Sequence, residues 1–277
     1  MHNPHSMETK SKLRVHIAPL GFEVDRIVLP AIRLRADAVW LLVHSNRSED
    51  KAEPFEAEIR ERLGRKGIEV KVEYADRKNL FGMLKAVRGI IAGGAEGGGN
   101  DIYVNVSSGS KIQSIACMMA CMMWNDTASL TPYYAEPEGY TSSAEPSGRA
   151  PADGGGDGDA GTPAPEQMSR GLKSITTLPK YRIQTPRQDL VRALAIVSKA
   201  EGGRIRKGEM AERAEELGII TVNSREENRE SARFASLAKN IVEPLTDEWN
   251  FLRVEKVGRT RWVSLTEEGR NAAEFLL

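Results

Sequence analysis

The chain has 277 residues, of which 40% are hydrophobic and 28% charged, and its formal net charge is zero. That length suffices for two ordinary domains, and the composition excludes both a disordered chain and a membrane-spanning one, since no apolar run approaches the roughly 20 residues a span needs. Neutrality excludes a basic coat over the whole surface, although residues 171–277 carry 19 Lys+Arg against 16 Asp+Glu, a small positive excess that permits contact with nucleic acid.

Residues 1–6 are polar and lack the apolar segment of a signal peptide, so a cytoplasmic location is expected, with Met7 as a second possible start. Residues 13–18 read as a strand and 22–35 as a helix. The run Ala38–His44 is apolar throughout, as in a strand buried on both faces. A helix over 54–66 and a strand over 68–74 follow. Residues 79–92 place Leu80, Met83, Leu84, Val87, Ile90 and Ile91 at helical core spacing. A strand over 102–106, a helix over 111–124 and a strand over 128–134 close the series. Strand–helix alternation of this kind predicts a parallel sheet covered on both faces. Cys117 and Cys121 share one face of the 111–124 helix. Zinc needs four ligands and no His or third Cys lies near, so they read as buried apolar side chains, and neither metal nor disulfide is expected.

Residues 136–171 are rich in Gly, Pro and acidic side chains and poor in large apolar ones. Such a stretch cannot bury enough surface to offset its backbone entropy, so it reads as a flexible linker. The expected domains are therefore 8–135, the linker 136–171, and 172–277. Beyond it, helices are expected over 188–200, 207–217 and 229–242. Strands over 251–256 and 261–265 flank the tip Val257–Thr260, and a last helix starts at the cap Thr266. Three helices, a hairpin and a helix is the winged-helix order.

Ligands of open parallel sheets bind beyond the carboxyl ends of the strands. That rule selects Pro19, Leu20, Gly21, Phe22 and Arg26 after the first strand, and Ser45 and Asn46 after the second. After the fourth it selects Asn105, Ser107, Ser108, Gly109, Ser110 and Lys111. The last turn enters a helix N-terminus, where free N–H groups and the helix dipole favour an anion and Lys111 adds a charge. Ser-Ser-Gly-Ser could also simply cap the helix; Gly21 and Arg26 at the matching end of the first strand favour a nucleotide or phosphate site. Neither a Walker A loop nor a three-glycine dinucleotide fingerprint is present. His16 and His44 lie in strands and read as core residues.

The pairing of residues 19–26 with residues 105–111 resembles the CRISPR-associated Rossmann fold (CARF) domains. The fourth strand of those domains ends in a Thr-Gly-Gly-Thr-Lys-like turn; here Ser108 replaces a glycine. Followed by a winged helix, the arrangement resembles the archaeal CARF transcriptional regulators. The resemblance implies an α/β Rossmann-like domain joined to a winged helix-turn-helix. It further implies a homodimer that binds a cyclic oligoadenylate, with cyclic tetra-adenylate as the expected ring, across its two-fold axis. The ligand is then regulatory, with no cofactor, no catalytic residue and no membrane partner. The alternative is a ring nuclease in which the winged helix serves dimerisation or docking.

The third helix of a winged helix enters the major groove of double-stranded DNA and the wing touches backbone. Arg229, Arg233, Ser236, Lys239 and Asn240 lie away from the apolar face of that helix, and Arg259 and Arg261 sit at the wing. Pro244 lacks an N–H and should end or kink the helix.

Overall fold

The computed structural model describes residues 12–96, 99–126, 129–141 and 166–277. These form two units, the first running to Ile183 and the second from Gln184 to Leu277.

In the first unit, β1 (Arg14–Pro19), β2 (Ala38–His44), β3 (Glu69–Ala75), β4 (Asp101–Asn105) and β5 (Ser129–Glu136) alternate with α1 (Asp25–Arg33), α2 (Glu53–Gly64), α3 (Leu80–Glu96) and α4 (Lys111–Met123). The sheet order is β3-β2-β1-β4-β5, all parallel. Alternation decides the layers: Val39, Leu41 and Val43 of β2 pack with Ile27 and Val28 of α1 and Ile59 and Leu63 of α2. α3 and α4 pack on each other, the second helical layer of a doubly wound sheet. Cys117 and Cys121 are buried in α4, and burial pushes the Cys121 thiol up to about 12, so both are apolar filling. Among the described residues no group of three or more His, Cys, Asp or Glu is placed to hold a metal, and no helix is long and apolar enough to cross a membrane.

The structure redraws the expected domain limits. Residues 142–165, the centre of the expected linker, lie outside the described residues. The flanks of that stretch belong to the first unit: β6 (Gly139–Tyr140) pairs with β7 (Ser169–Arg170), and Thr141 N–H donates to the Met168 carbonyl at 3.0 Å. Both flanks therefore belong to the same unit. β8 (Ser174–Thr177), expected to open the winged helix, instead adds a sixth, antiparallel strand beside β5. Its four residues, two of them exposed, carry too little periodicity to announce a strand. Leu178 N–H and Ile183 N–H then bond to the Pro132 and Met122 carbonyls, so the winged helix begins near residue 184 rather than 172.

The second unit contains α5 (Gln188–Ser198), β9 (Arg204–Arg206), α6 (Lys207–Glu216), α7 (Arg229–Leu237), β10 (Leu252–Val257), β11 (Thr260–Leu265) and α8 (Glu267–Leu276). β9 adds a third strand to the hairpin in the order β10-β11-β9. Leu194, Met210, Leu237, Ile241 and Val263 fill the core between helices and sheet. The hairpin turns in two residues, with Gly258 at φ 63°, a conformation glycine adopts at no steric cost. Pro244 does not end the third helix. The chain continues past it in π-helical turns over 238–242 and 244–248. Asn240, whose α-helical donor would have been the missing Pro244 N–H, has its carbonyl bonded by the Arg187 guanidinium at 3.2 Å.

Candidate functional site

β1 and β4 lie side by side at the centre of the sheet, and their following turns meet beyond its carboxyl end. The turns interlock through backbone. A Cβ on Gly21 would lie 2.8 Å from Gly109 N and 2.9 Å from its Cα. Gly109 sits at φ 76° against Pro19. Ser108, fully buried, donates its hydroxyl to the Pro19 carbonyl at 2.8 Å.

Several expected ligand contacts prove to build this junction. Asn105 is fully buried; its amide donates to the Arg26 carbonyl at 2.8 Å and accepts from Ser107 N–H at 2.8 Å. Ser107 Oγ accepts from Ala135 N–H at 3.1 Å. The buried Arg26 guanidinium donates to the Ala135 carbonyl at 2.9 Å, pairs with Glu23 at 3.1 Å, and lies 5.0 Å from the Tyr134 ring centre. Ser110 caps α4, its hydroxyl accepting from Gln113 N–H at 3.2 Å while Gln113 Oε1 accepts from Ser110 N–H at 2.9 Å. This is a full capping box, the capping alternative for the Ser-Ser-Gly-Ser turn.

A pocket of about 260 Å³ opens at the junction. Of the expected residues, Leu20, Gly21, Phe22, Gly109 and Ser110 line it. Pro19, Arg26, Ser45, Asn46, Asn105, Ser107, Ser108 and Lys111 are not in its lining. Ser45 and Asn46 are exposed, and Lys111 is exposed with no ion pair among the described residues. Arg77 and Met168 join the lining and were missed. The strand-end rule, extended to the loop after β3, finds Arg77. Nothing local marks Met168, which the chain brings back from beyond residue 165.

Beneath the site, His16 of β1 stacks on Tyr103 with ring centres 5.0 Å apart, and its Nδ1 shares a 3.2 Å hydrogen bond with the Tyr133 hydroxyl. Its Nε2 is buried without a partner among the described residues, and burial lowers its pKa to about 4. Folding therefore favours the neutral ring. The unfolded chain takes up a proton below about pH 6.5, and stability falls with pH until the folded ring also titrates near 4. We expect a loss of about 3 kcal/mol from this group across that window. Denaturant unfolding of wild type and His16→Phe at pH 7 and pH 4.5 measures it. An equal pH slope in both would remove His16 as the cause.

In the second unit, the expected DNA-facing arginines of α7 are tied down. Glu215 of α6 accepts from Arg229 at 2.7 Å and Arg233 at 2.5 Å, and these partners, Arg229 first, hold its carboxyl below the ordinary range. Ser236 donates to the Thr221 carbonyl at 3.4 Å, and Asn240 donates to Ser236 at 3.2 Å. Lys239 is exposed. A groove of about 830 Å³ runs between the start of α6, the Phe234–Ala235–Ala238 face and the wing. Arg206, Lys207, Arg259 and Arg261 line it, and none of the four is in an ion pair within 4 Å among the described residues; Glu209 and Glu212, also in the lining, pair with Arg213 and Arg233. Arg204 and Arg206 lie over the Trp262 ring at 4.7 and 5.5 Å. Burial, then Arg261, lowers the pKa of Lys207, and Glu243 opposes the shift.

The family model described as HFX_2341_N-like, N-terminal matches residues 14–140, and that of the DUF6293 C-terminal winged helix domain matches residues 189–276. The chain joins an HFX_2341_N-like domain to a DUF6293 winged helix. A Methanocaldococcus jannaschii protein, named Uncharacterized protein MJ1513, is 35% identical over 127 residues, 45% of this chain and 38% of its own length. The chain thus matches well under half of that relative. Solved structures with similar parts include Can2 from Sulfobacillus thermosulfidooxidans in complex with cyclic tetra-adenylate (TM-score 0.35, 16% identity, 44% of this chain and 32% of that one). Csm6 of Enterococcus italicus, bound to a cyclic hexa-2′-fluoro-hexa-dAMP, gives a TM-score of 0.38 at 11% identity, over 46% of this chain and 35% of that one. Protein VC1899 from Vibrio cholerae gives 0.39 at 12% identity, over 94% and 64%. The six-stranded sheet of the HFX_2341_N-like unit and the three-stranded sheet of the DUF6293 unit carry the expected order, a Rossmann-like α/β domain followed by a winged helix.

Proposed function

We propose that the protein is a ligand-responsive regulator: the HFX_2341_N-like domain binds a cyclic oligoadenylate, cyclic tetra-adenylate first, as a homodimer, and the DUF6293 winged helix binds double-stranded DNA. The observation that carries this reading is the wing groove, where Arg206, Lys207, Arg259 and Arg261 outnumber the lining carboxylates Glu209 and Glu212 in a chain of zero net charge. A local excess of cations attracts a polyanion and releases its counterions. At the other end of the chain, the strand-end turns favour a small anionic ligand. The groups around those turns support binding over ring cleavage: Glu23 is paired with Arg26, and His16 is buried and poorly basic, which leaves neither placed as a general base.

Fluorescence anisotropy of labelled duplex DNA, titrated with and without cyclic tetra-adenylate, tests the proposal when the ring is afterwards resolved by chromatography. The expected result is a changed DNA affinity with the ring intact. Linear products would favour the ring nuclease, and a DNA affinity indifferent to every ring size would sink the coupling. Arg233→Ala is expected to weaken DNA binding severalfold and leave ring affinity unchanged, because Arg233 belongs to the winged helix. Equal loss of both in a folded variant would contradict that separation.

A further inference from the structure

The pocket at the interlocked turns is too small for a ring of nucleotides. Its volume of about 260 Å³ falls below the roughly 300–1,000 Å³ that encloses a drug-sized ligand. It is the size for one nucleobase with its sugar. Its chemistry points the same way. Leu20, Phe22, Ala52 and Met168 supply apolar surface, Arg77 is the one cation among the described residues that line it, and the Glu23 carboxylate, also in the lining, is paired with Arg26 at 3.1 Å. Gln113 is held by its amide, which accepts from Ser110 N–H and donates to the Leu42 carbonyl, so it shapes the wall.

Arg77 follows β3, its N–H bonded to His44 Nδ1 at 3.4 Å. Its guanidinium lies 3.8 Å from Asp50 with 30% of the side chain exposed. That is an ion pair but not a hydrogen bond, so its N–H donors are open to phosphate oxygens while Asp50 offsets part of its charge. Met168 comes from a strap that returns over the start of α1. Gln167 Oε1 accepts from Val24 and Asp25 N–H at 3.0 and 2.9 Å, Met168 N–H donates to the Phe22 carbonyl at 3.1 Å, Ser169 donates to Glu23 at 2.7 Å, and Gly171 N–H donates to Asp25 at 2.8 Å. The backbone of the strap is thus fixed while Met168 itself stays 60% exposed. A polarizable thioether held over an open apolar pocket is suited to the face of an aromatic ring.

We propose that each subunit takes a single purine nucleotide unit into this pocket, with Arg77 on its phosphate and Met168 against its base. The proposal rests on the nucleotide reading above and deepens it: two residues outside the strand-four turn select the ligand, and a ring is read one unit at a time. The test titrates the full chain separately with adenosine 5′-monophosphate and with cyclic tetra-adenylate, following the Met168 methyl by NMR and affinity by calorimetry. Wild type is compared with Arg77→Gln, Met168→Glu and the conservative Met168→Leu, all checked for native melting. Expected are a Met168 shift with the mononucleotide, about tenfold or greater weakening in the Gln and Glu variants, and retention in the Leu variant. Rings that bind all four proteins equally would overturn the pocket and leave the nucleotide reading standing. Mononucleotide binding that needs Arg77 and Met168, without any ring binding, would uphold the pocket and end the cyclic-ligand reading. Failure of both ligands to bind wild type would overturn the pocket.

Discussion

Replacing Arg259 and Arg261 together by glutamine should cost on the order of a hundredfold in duplex affinity at about 50 mM salt, and flatten the dependence of log K on log salt by about two units. The slope is the sharper observable, because each phosphate contact contributes about 0.9 to it whatever the base sequence. Both arginines line the groove beside Lys207, and Arg261 adds to the effect of burial in lowering the Lys207 pKa. Glutamine keeps much of the side-chain length and hydrogen-bonding capacity, so a loss would report charge. Arg229→Gln with Arg233→Gln makes the contrast: those guanidiniums already hold Glu215 at 2.7 and 2.5 Å, so their removal also frees a carboxylate and should act more through the α6–α7 contact than through the slope. An unchanged slope in the wing variant, with the protein folded, would remove the groove from the DNA interface and with it the main support for the regulator.

The parallel sheet was legible because its evidence is local and repeated. Ala38–His44 is apolar at nearly every position, and α3 presents Met83, Leu84, Val87 and Ile91 to the core at the spacing the sequence shows. The winged helix was legible in its helices and hairpin, less so in β9, three residues whose strand character depends on pairing with Trp262–Ser264. The site was only half legible. Its turns are marked by glycine and hydroxyl residues, but the sequence does not say whether Asn105, Ser107 and Ser108 face a ligand or hold the junction together, since both uses need the same polar groups. Met168 depends on a chain return across residues 142–165, which no periodicity encodes. Pro244 shows a local rule met in altered form: α7 passes into wider π turns after Leu237, the chain stays helical through Pro244, and Arg187 bonds the Asn240 carbonyl left without its α-helical donor.

The largest loss of stability in the first unit from one added methyl should come at Gly109. Gly109→Ala meets two penalties at once. Its φ of 76° places an L side chain in the left-handed region, at about 1–2 kcal/mol. Its Cβ would also press on Pro19 and lie 2.9 Å from Gln113 Oε1, straining the capping box, for about 1–3 kcal/mol of overpacking. The sum, roughly 2–5 kcal/mol, would lower the melting temperature of a unit this size by about 5–15 °C. Two other glycines separate the terms. Gly67 has φ 71° with nothing within 4 Å of an added Cβ, so Gly67→Ala carries the conformational penalty alone. Gly21 has ordinary φ, but its Cβ would come within 2.8 Å of Gly109 N, so Gly21→Ala carries the steric penalty alone. Calorimetry should rank Gly109→Ala well below both, with the transition of the second unit unmoved, and Gly109→Ala and Gly21→Ala should also lose nucleotide affinity while Gly67→Ala keeps it. If Gly109→Ala melts no earlier than Gly67→Ala, the two turns are not in close contact, and the pocket they enclose does not have the shape described.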